Sequence, residues 1–260
     1  MVEDRWHGRE SSIGPGPADG PARLPAPARG SGPARLRGRR IAAMDAVVFD
    51  WDGTLVDTLP AILRANTEVL VEYGLSFDEA RYRAAYVPDW RLMYQRLGVP
   101  DIHLEAAGAR WLALYRAAEP PRPFGGVRRA LRRLSGAGYV MGLVTAGHRA
   151  LVEEQLEHLG LLAVLPVRVC GDDPLPAKPD PEPLRRALDG LRAGDRPENA
   201  IYVGDAPDDM RMARAVGARA VGIVSTLGTA ADLRAAGADE VAGSVADWVD
   251  GFLGAEAAAS

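Results

Sequence analysis

The amino-acid sequence predicts a doubly wound α/β core, built on a parallel sheet, with a small all-helical domain inserted near its start. Three observations lead there. Short apolar runs rich in β-branched residues, among them Ala46–Phe49 and Ile201–Val203, alternate with amphipathic helical stretches through the second half of the chain. That is the pattern of strands buried on both faces by crossover helices. Between residues 60 and 121 the strand signal disappears and only helical spacing remains. The segment Glu119-Pro120-Pro121-Arg122-Pro123-Phe124-Gly125-Gly126 then punctuates the chain, and the alternation begins.

Residues 1–43 are rich in Gly, Pro, Ala and Arg and show no hydrophobic period, so they are expected to be disordered. Their 8 Arg against 4 acids give +4, which leaves open a basic arm that binds anions, and Met44 leaves open a later start. The α/β core is expected at residues 44–59 and 122–260 and the helical insertion at 60–121. Ala46–Phe49 is the first strand. Within the insertion, apolar residues at Ile62, Leu63, Val69 and Leu70 give a helix over 60–73 that stops at Gly74. Further helices are expected over 77–85, 90–97 and 104–118, separated by Pro88, Gly98 and Pro100. The two connections, near Thr58–Pro60 and Pro120–Gly125, are the expected hinges. Beyond them the pattern gives helix 127–134, strand 139–145, helix 149–159, strand 163–170, helix 181–191, strand 200–204, helix 208–216 and strand 220–224, before a short closing region. That makes five or six parallel strands in a Rossmann-like arrangement.

With 47% hydrophobic residues, the 260-residue chain can bury a sizeable core. No apolar run approaches the ~20 residues that span a bilayer, and the N-terminus lacks the apolar centre of a secretory signal. No membrane partner and a cytoplasmic location are therefore expected. The formal charge is −4, and removing the +4 of residues 1–43 leaves −8 on the remainder. An acidic body argues against nucleic acid as a partner. The single cysteine, Cys170, ends an apolar segment, so a small buried residue is expected there. Of the 31 basic residues 30 are Arg, and the one Lys is Lys178. A chain that uses Arg for nearly every cation keeps Lys where a compact ammonium serves and a planar guanidinium does not.

The first strand runs into Asp50-Trp51-Asp52-Gly53-Thr54-Leu55-Val56-Asp57. In an open parallel sheet, ligands bind at the carboxyl ends of strands where the strand order reverses. Asp50 and Asp52, two apart on extended chain, project to one side, and Gly53 allows a sharp turn. This suits one nucleophile and one acid/base group, although solvated loop acids capping the next helix share the pattern. Strand 139–145 ends at Thr145-Ala146-Gly147, where a hydroxyl and backbone N–H groups at a helix start can take a phosphate oxygen or simply make a turn. His148 is expected to face solvent. Lys178 stands in the proline-stiffened loop Leu175–Pro181, and strand 200–204 runs into Gly204-Asp205-Ala206-Pro207-Asp208-Asp209. Asp172 and Asp173 fit helix-capping or solvated roles better than a place at the rim of the crevice.

These four segments, in this order and each at a strand end, resemble the four motifs of the haloacid dehalogenase superfamily over about residues 45–250. The resemblance implies a helical cap inserted where this chain has residues 60–121. It implies Asp50 as the nucleophile that forms an aspartyl-phosphate, and Asp52 as the acid that protonates the leaving alcohol and later activates water. Thr145, with the Ala146 and Gly147 backbone, and Lys178 would hold the phosphoryl group. Mg²⁺ is the implied cofactor, held by Asp50, the backbone carbonyl of Asp52 and Asp205, with Asp209 behind them or on Lys178. Ala206 departs from the hydroxyl residue many relatives carry there. Dehalogenases lack the second acid, and the cap Lys of phosphonatases is missing from residues 60–121. The pattern is nearest to phosphoglycolate phosphatases and implies Mg²⁺-dependent hydrolysis of a small-molecule phosphate ester. A phosphomutase or an inactive binding member are the alternatives, and monomer or homodimer stays open. The turn of Tyr86, Asp89, Trp90 and Arg91 is expected either to close over the substrate, with Arg91 pairing a carboxylate, or to be structural with Arg91 solvated.

Overall fold

The computed structural model describes residues 46–258. The expectations for residues 1–43 lie outside the described residues. The chain opens with β1 (Ala46–Phe49) and makes a short β2 (Val56–Asp57). It then enters the insertion as α1 (Leu59–Glu72), α2 (Glu79–Ala85), α3 (Trp90–Leu97) and α4 (Leu104–Ala117). On leaving it, β3 (Arg122–Pro123) pairs antiparallel with β2. The core resumes with α5 (Val127–Gly136), β4 (Val140–Val144), α6 (Arg149–His158) and β5 (Val167–Val169). It continues through α7 (Glu182–Gly190), β6 (Ala200–Gly204), α8 (Pro207–Val216) and β7 (Arg219–Ile223), and ends with α9 (Ala230–Ala235), β8 (Glu240–Ala242) and α10 (Val245–Ala258).

Six parallel strands form the sheet in the order β5-β4-β1-β6-β7-β8. The chain winds outward from β1 through β4 to β5, then returns to β1's other side at β6, so the strand order reverses at β1. Side-chain alternation along β1 explains why it reads as a continuous apolar run. Val47 and Phe49 pack with α5, α6 and α10, while Ala46 and Val48 pack on the opposite face with α7, α8 and α9. All four are fully buried, and a Val or Phe so placed is worth about 1.5–3 kcal/mol relative to exposure.

The insertion has an apolar cluster of its own around Val69, Leu70, Tyr82, Tyr94 and Leu97. Its short helices start on aspartates whose carboxylates accept otherwise unpaired N–H groups. Asp78 accepts from the Arg81 amide at 2.8 Å and Asp89 from the Arg91 amide at 2.9 Å. Among the described residues, no helix is long and apolar enough to cross a membrane.

Three features differ from the expectations. The strand expected over 163–170 is confined to Val167–Val169, because Leu161 to Leu165 forms a turn in which the amides of Val164 and Leu165 both donate to the Leu161 carbonyl. Its apolar residues still reach the core, with Leu165 fully buried. The closing region is more than a short tail: it supplies α9, the edge strand β8 and α10, whose Trp248, Val249 and Phe252 cover one face of the sheet. The two connections to the insertion are also tied to each other by the β2–β3 pair.

Candidate active site

β1 and β6 are neighbours, so the loops leaving them bring Asp50 and Asp205 out of the sheet together. The Asp50 amide still donates to the Val203 carbonyl at 2.8 Å, which holds the start of the first loop to the sheet. Gly53 then turns the chain at φ +79°, and a Cβ there would stand 2.3 Å from Asp205 Oδ2. The loop can lie against that carboxylate only without a side chain.

Lys178 enters from the loop between β5 and α7. Its Nζ donates to Asp50 Oδ1 at 2.6 Å and to Asp209 Oδ1 at 2.8 Å, with all three side chains buried. Asp209, in the first turn of α8, is fixed in turn: Oδ2 accepts the Ala206 N–H at 3.0 Å. The Tyr202 hydroxyl lies 3.0 Å from Asp209 Oδ1 and 3.0 Å from the Val144 carbonyl, so its one proton serves either acceptor. The Tyr202 ring stands 5.5 Å from the Lys178 ammonium. Sequence reading gave Tyr202 no role, though a polar-headed residue in an otherwise apolar strand was a signal that its hydroxyl needs a partner.

Asp50, Asp205 and Asp209 bring carboxylate oxygens within 4.8 Å of one another. With Lys178 the group holds three potential negative charges against one positive, in a buried setting. Burial raises the Asp50 carboxyl to about 7 against the pull of Lys178, with Asp209 and Asp52 adding to the rise. Burial, then Asp50 and Asp209, holds Asp205 well above the usual carboxylate range. For Lys178 burial works against the charge, but Asp209 and Asp50 outweigh it and the ammonium is held above its ordinary value. A cluster of hard oxygen donors with unbalanced negative charge fits a small dication such as Mg²⁺. The Asp52 carboxylate is not part of this cluster.

Asp52 instead turns toward β4. The Thr145 hydroxyl points at its Oδ2 from 3.4 Å, long for such a bond, and the Gly147 amide donates to Thr145 Oγ1 at 2.9 Å. Burial raises the Asp52 carboxyl, while Thr58, Lys178 and Thr145 pull it back. The Thr54 and Thr58 hydroxyls are buried here without a hydrogen-bond partner of good geometry. Asp50, Asp52 and Asp205 form the floor of a crevice of about 260 Å³, Ala146 lines its side, and Ile62, Tyr82 and Tyr86 of the insertion form its roof.

Thus the structure brings together Asp50, Asp52, Thr145, Ala146, Gly147, Lys178, Asp205 and Asp209. It does not bring Arg91 to the crevice. That side chain donates to Glu105 Oε1 at 2.7 and 2.9 Å and lies over the Trp90 ring at 4.4 Å, held by the insertion's own α4. From the same turn only Tyr86 reaches the crevice. Asp172 accepts the Arg149 amide at 2.7 Å at the start of α6 and lies 3.3 Å from His148, and Asp173 takes the Arg149 guanidinium. Burial raises the Cys170 thiol to about 12, so it is no nucleophile. One contact was invisible in the sequence: Trp51, fully buried between Asp50 and Asp52, donates through Nε1 to Gln155 Oε1 at 2.6 Å. Gln155 Nε2 donates on to the hydroxyl of Tyr115 in α4 at 3.0 Å, linking loop, core and insertion.

With its sheet, strand-end carboxylates and buried lysine in this arrangement, the chain belongs to the family described as haloacid dehalogenase-like hydrolases, whose profile matches residues 47–223. Among curated relatives it is 30% identical over 186 residues to the N-acetylmuramic acid 6-phosphate phosphatase of Pseudomonas aeruginosa, covering 69% of this chain and 81% of that one. It is 34% identical over 185 residues to a phosphoglycolate phosphatase of Rhodospirillum rubrum, covering 66% and 76%. A solved haloacid dehalogenase-like family hydrolase from Streptococcus pneumoniae superposes with a TM-score of 0.70 at 24% identity, over 81% of this chain and 99% of that one, and so shares the fold.

Proposed function

We propose that the protein is a Mg²⁺-dependent phosphatase that hydrolyses a small phosphate monoester through an aspartyl-phosphate on Asp50. The observation that carries this is the division of labour between two carboxylates two residues apart. Asp50 is held 2.6 Å from the buried Lys178 ammonium, whereas the Asp52 carboxylate turns toward the Thr145 hydroxyl, 3.4 Å away. An Asp50 oxygen attacks phosphorus, the bond from phosphorus to the alcohol oxygen breaks, and Asp52 gives that oxygen its proton. The raised pKa of Asp52, set first by burial, suits it to carry the proton. Water then attacks the phosphorus of the aspartyl-phosphate, Asp52 takes the water's proton, and Asp50 is regenerated as inorganic phosphate leaves.

Lys178, the Thr145 hydroxyl and the Ala146 and Gly147 amides would receive phosphoryl oxygens. Asp50, the Asp52 carbonyl and Asp205 would hold Mg²⁺, with Asp209 fixing Lys178. When bound, the ion supplies positive charge to offset the charge that builds on the phosphoryl oxygens. The relatives named as phosphatases support hydrolysis over mutase chemistry. A panel of metabolite phosphates, assayed with and without Mg²⁺ for both inorganic phosphate and isomerised ester, tests this. Isomer without phosphate would replace hydrolysis by mutase chemistry, and neither product from any ester would leave a binding protein.

A further inference from the structure

The roof of the crevice is aromatic. Tyr82 in α2 and Tyr86 at its end are four residues apart and so share one face. Their rings meet edge to face at 5.6 Å, and both line the crevice that holds Asp50 and Asp52. Tyr82 is buried, yet neither phenol oxygen has a hydrogen-bond partner among the described residues. Burial, with nearby carboxylates adding, holds both phenols above their ordinary range, so both hydroxyls keep a proton to donate.

The rest of the lining has a definite charge. Among the described residues, no Arg, His or Lys lines the crevice, while Asp57 joins Asp50, Asp52 and Asp205 there. The neighbouring cations are taken: Arg83, next to Tyr82, pairs with Asp232 at 2.6 Å, and Lys178 lies between Asp50 and Asp209. Ser225, Thr226 and Leu227 form part of the wall, with no charged side chain among them. With Mg²⁺ and Lys178 engaged by the phosphoryl group, a carboxylate on the substrate's alcohol part would leave water for a lining that offers it no basic side chain. Hydroxyl groups would find two waiting phenols, and the C–H faces of a polyol would lie against their rings.

We infer that the alcohol this site releases is uncharged and hydroxyl-bearing, as in a polyol or sugar monophosphate, and that Tyr82 and Tyr86 select it. The inference rests on the phosphatase reading. Its test is phosphate release by the full chain with Mg²⁺ from sugar and polyol phosphates, phosphoglycolate, and two analogues of glycerol 3-phosphate: 3-phosphoglycerate, with a carboxylate, and propyl phosphate, with no hydroxyl. The best ester is expected to be neutral and hydroxylated, with kcat/KM roughly tenfold or more above both analogues, since a site built to bond a hydroxyl rejects the ester lacking it. In Tyr82→Phe and in Tyr86→Phe, with folding checked by thermal melting, the ratio of that ester to propyl phosphate should fall toward one. A carboxylate-bearing ester that equals or leads the panel, or ratios unchanged in both variants, overturns the inference and leaves the phosphatase reading standing. No phosphate from any ester overturns the phosphatase reading itself.

Discussion

Lys178 is a point charge wedged between Asp50 and Asp209, beside the Tyr202 ring, with almost no exposed surface. A guanidinium is broader and flat, so Lys178→Arg is expected to cut kcat/KM nearly as far as Lys178→Ala, by roughly 10² or more, although the charge is kept. Steady-state turnover of the pair checks this, and near-normal activity of the Arg variant would remove Lys178 from phosphoryl binding. Asp50→Asn should abolish phosphate release without unfolding the protein, because the amide keeps the shape and loses the anion. Gly53→Ala is expected to weaken Mg²⁺ binding and lower kcat/KM at least tenfold, the added methyl meeting Asp205 Oδ2 at 2.3 Å with φ at +79°. A Mg²⁺ titration of activity reads it. Asp50, Asp52, Lys178 and Asp205 were all legible because strand ends, spacing and lysine scarcity are local facts. Tyr202 and Gln155 were not: each acts through a partner that is distant in sequence or hidden by the strand's apolar pattern.

Helices and strands buried on two faces could be read closely. α3 and β6 fall where their patterns put them, since β6 is buried throughout and α3 begins on Asp89 and ends at a glycine. β8 and the β2–β3 pair escaped, and β5 is shorter than its apolar run suggests, because two or three residues at a sheet edge or hinge carry no period to detect. Yet the small pair clips both connections of the insertion, and the Trp51–Gln155–Tyr115 chain ties α4 to the loop between the two acids. Gln155→Leu removes both of those bonds and leaves the indole N–H buried and unpaired, a loss of about 1–3 kcal/mol. For a chain this size that is a Tm drop of roughly 2–4 °C per kcal/mol. Activity should fall with it, and a variant that melts and turns over like the parent would make the link incidental.

At the scale of the molecule, the centre's charge links stability to pH and metal. An ordinary Asp titrates near 3.8, whereas folded Asp50 titrates at about 7, raised by burial. The folded state therefore binds the proton more tightly between those values. Its contribution is fully present below pH 3.8 and is lost as pH rises through about 7. Asp52 and Asp205 are raised in the same direction. Metal-free protein should thus lose stability from these groups on going from about pH 5.5 to 8, and Mg²⁺, taking the proton's place, should raise Tm more at the higher pH. Differential scanning of the two conditions measures it, and an equal or smaller metal effect at pH 8 would argue against a dication among these carboxylates.

A different consequence follows from the lysine count. Because residue 178 carries the only ε-amine in the chain and that amine is enclosed by carboxylates, acylating, biotinylating and bifunctional amine reagents have no side-chain target on the folded body. Any label found at this position by peptide mass spectrometry comes from molecules whose centre has opened. The fraction labelled is then a direct assay of how much of a preparation retains an intact centre, with no substrate required.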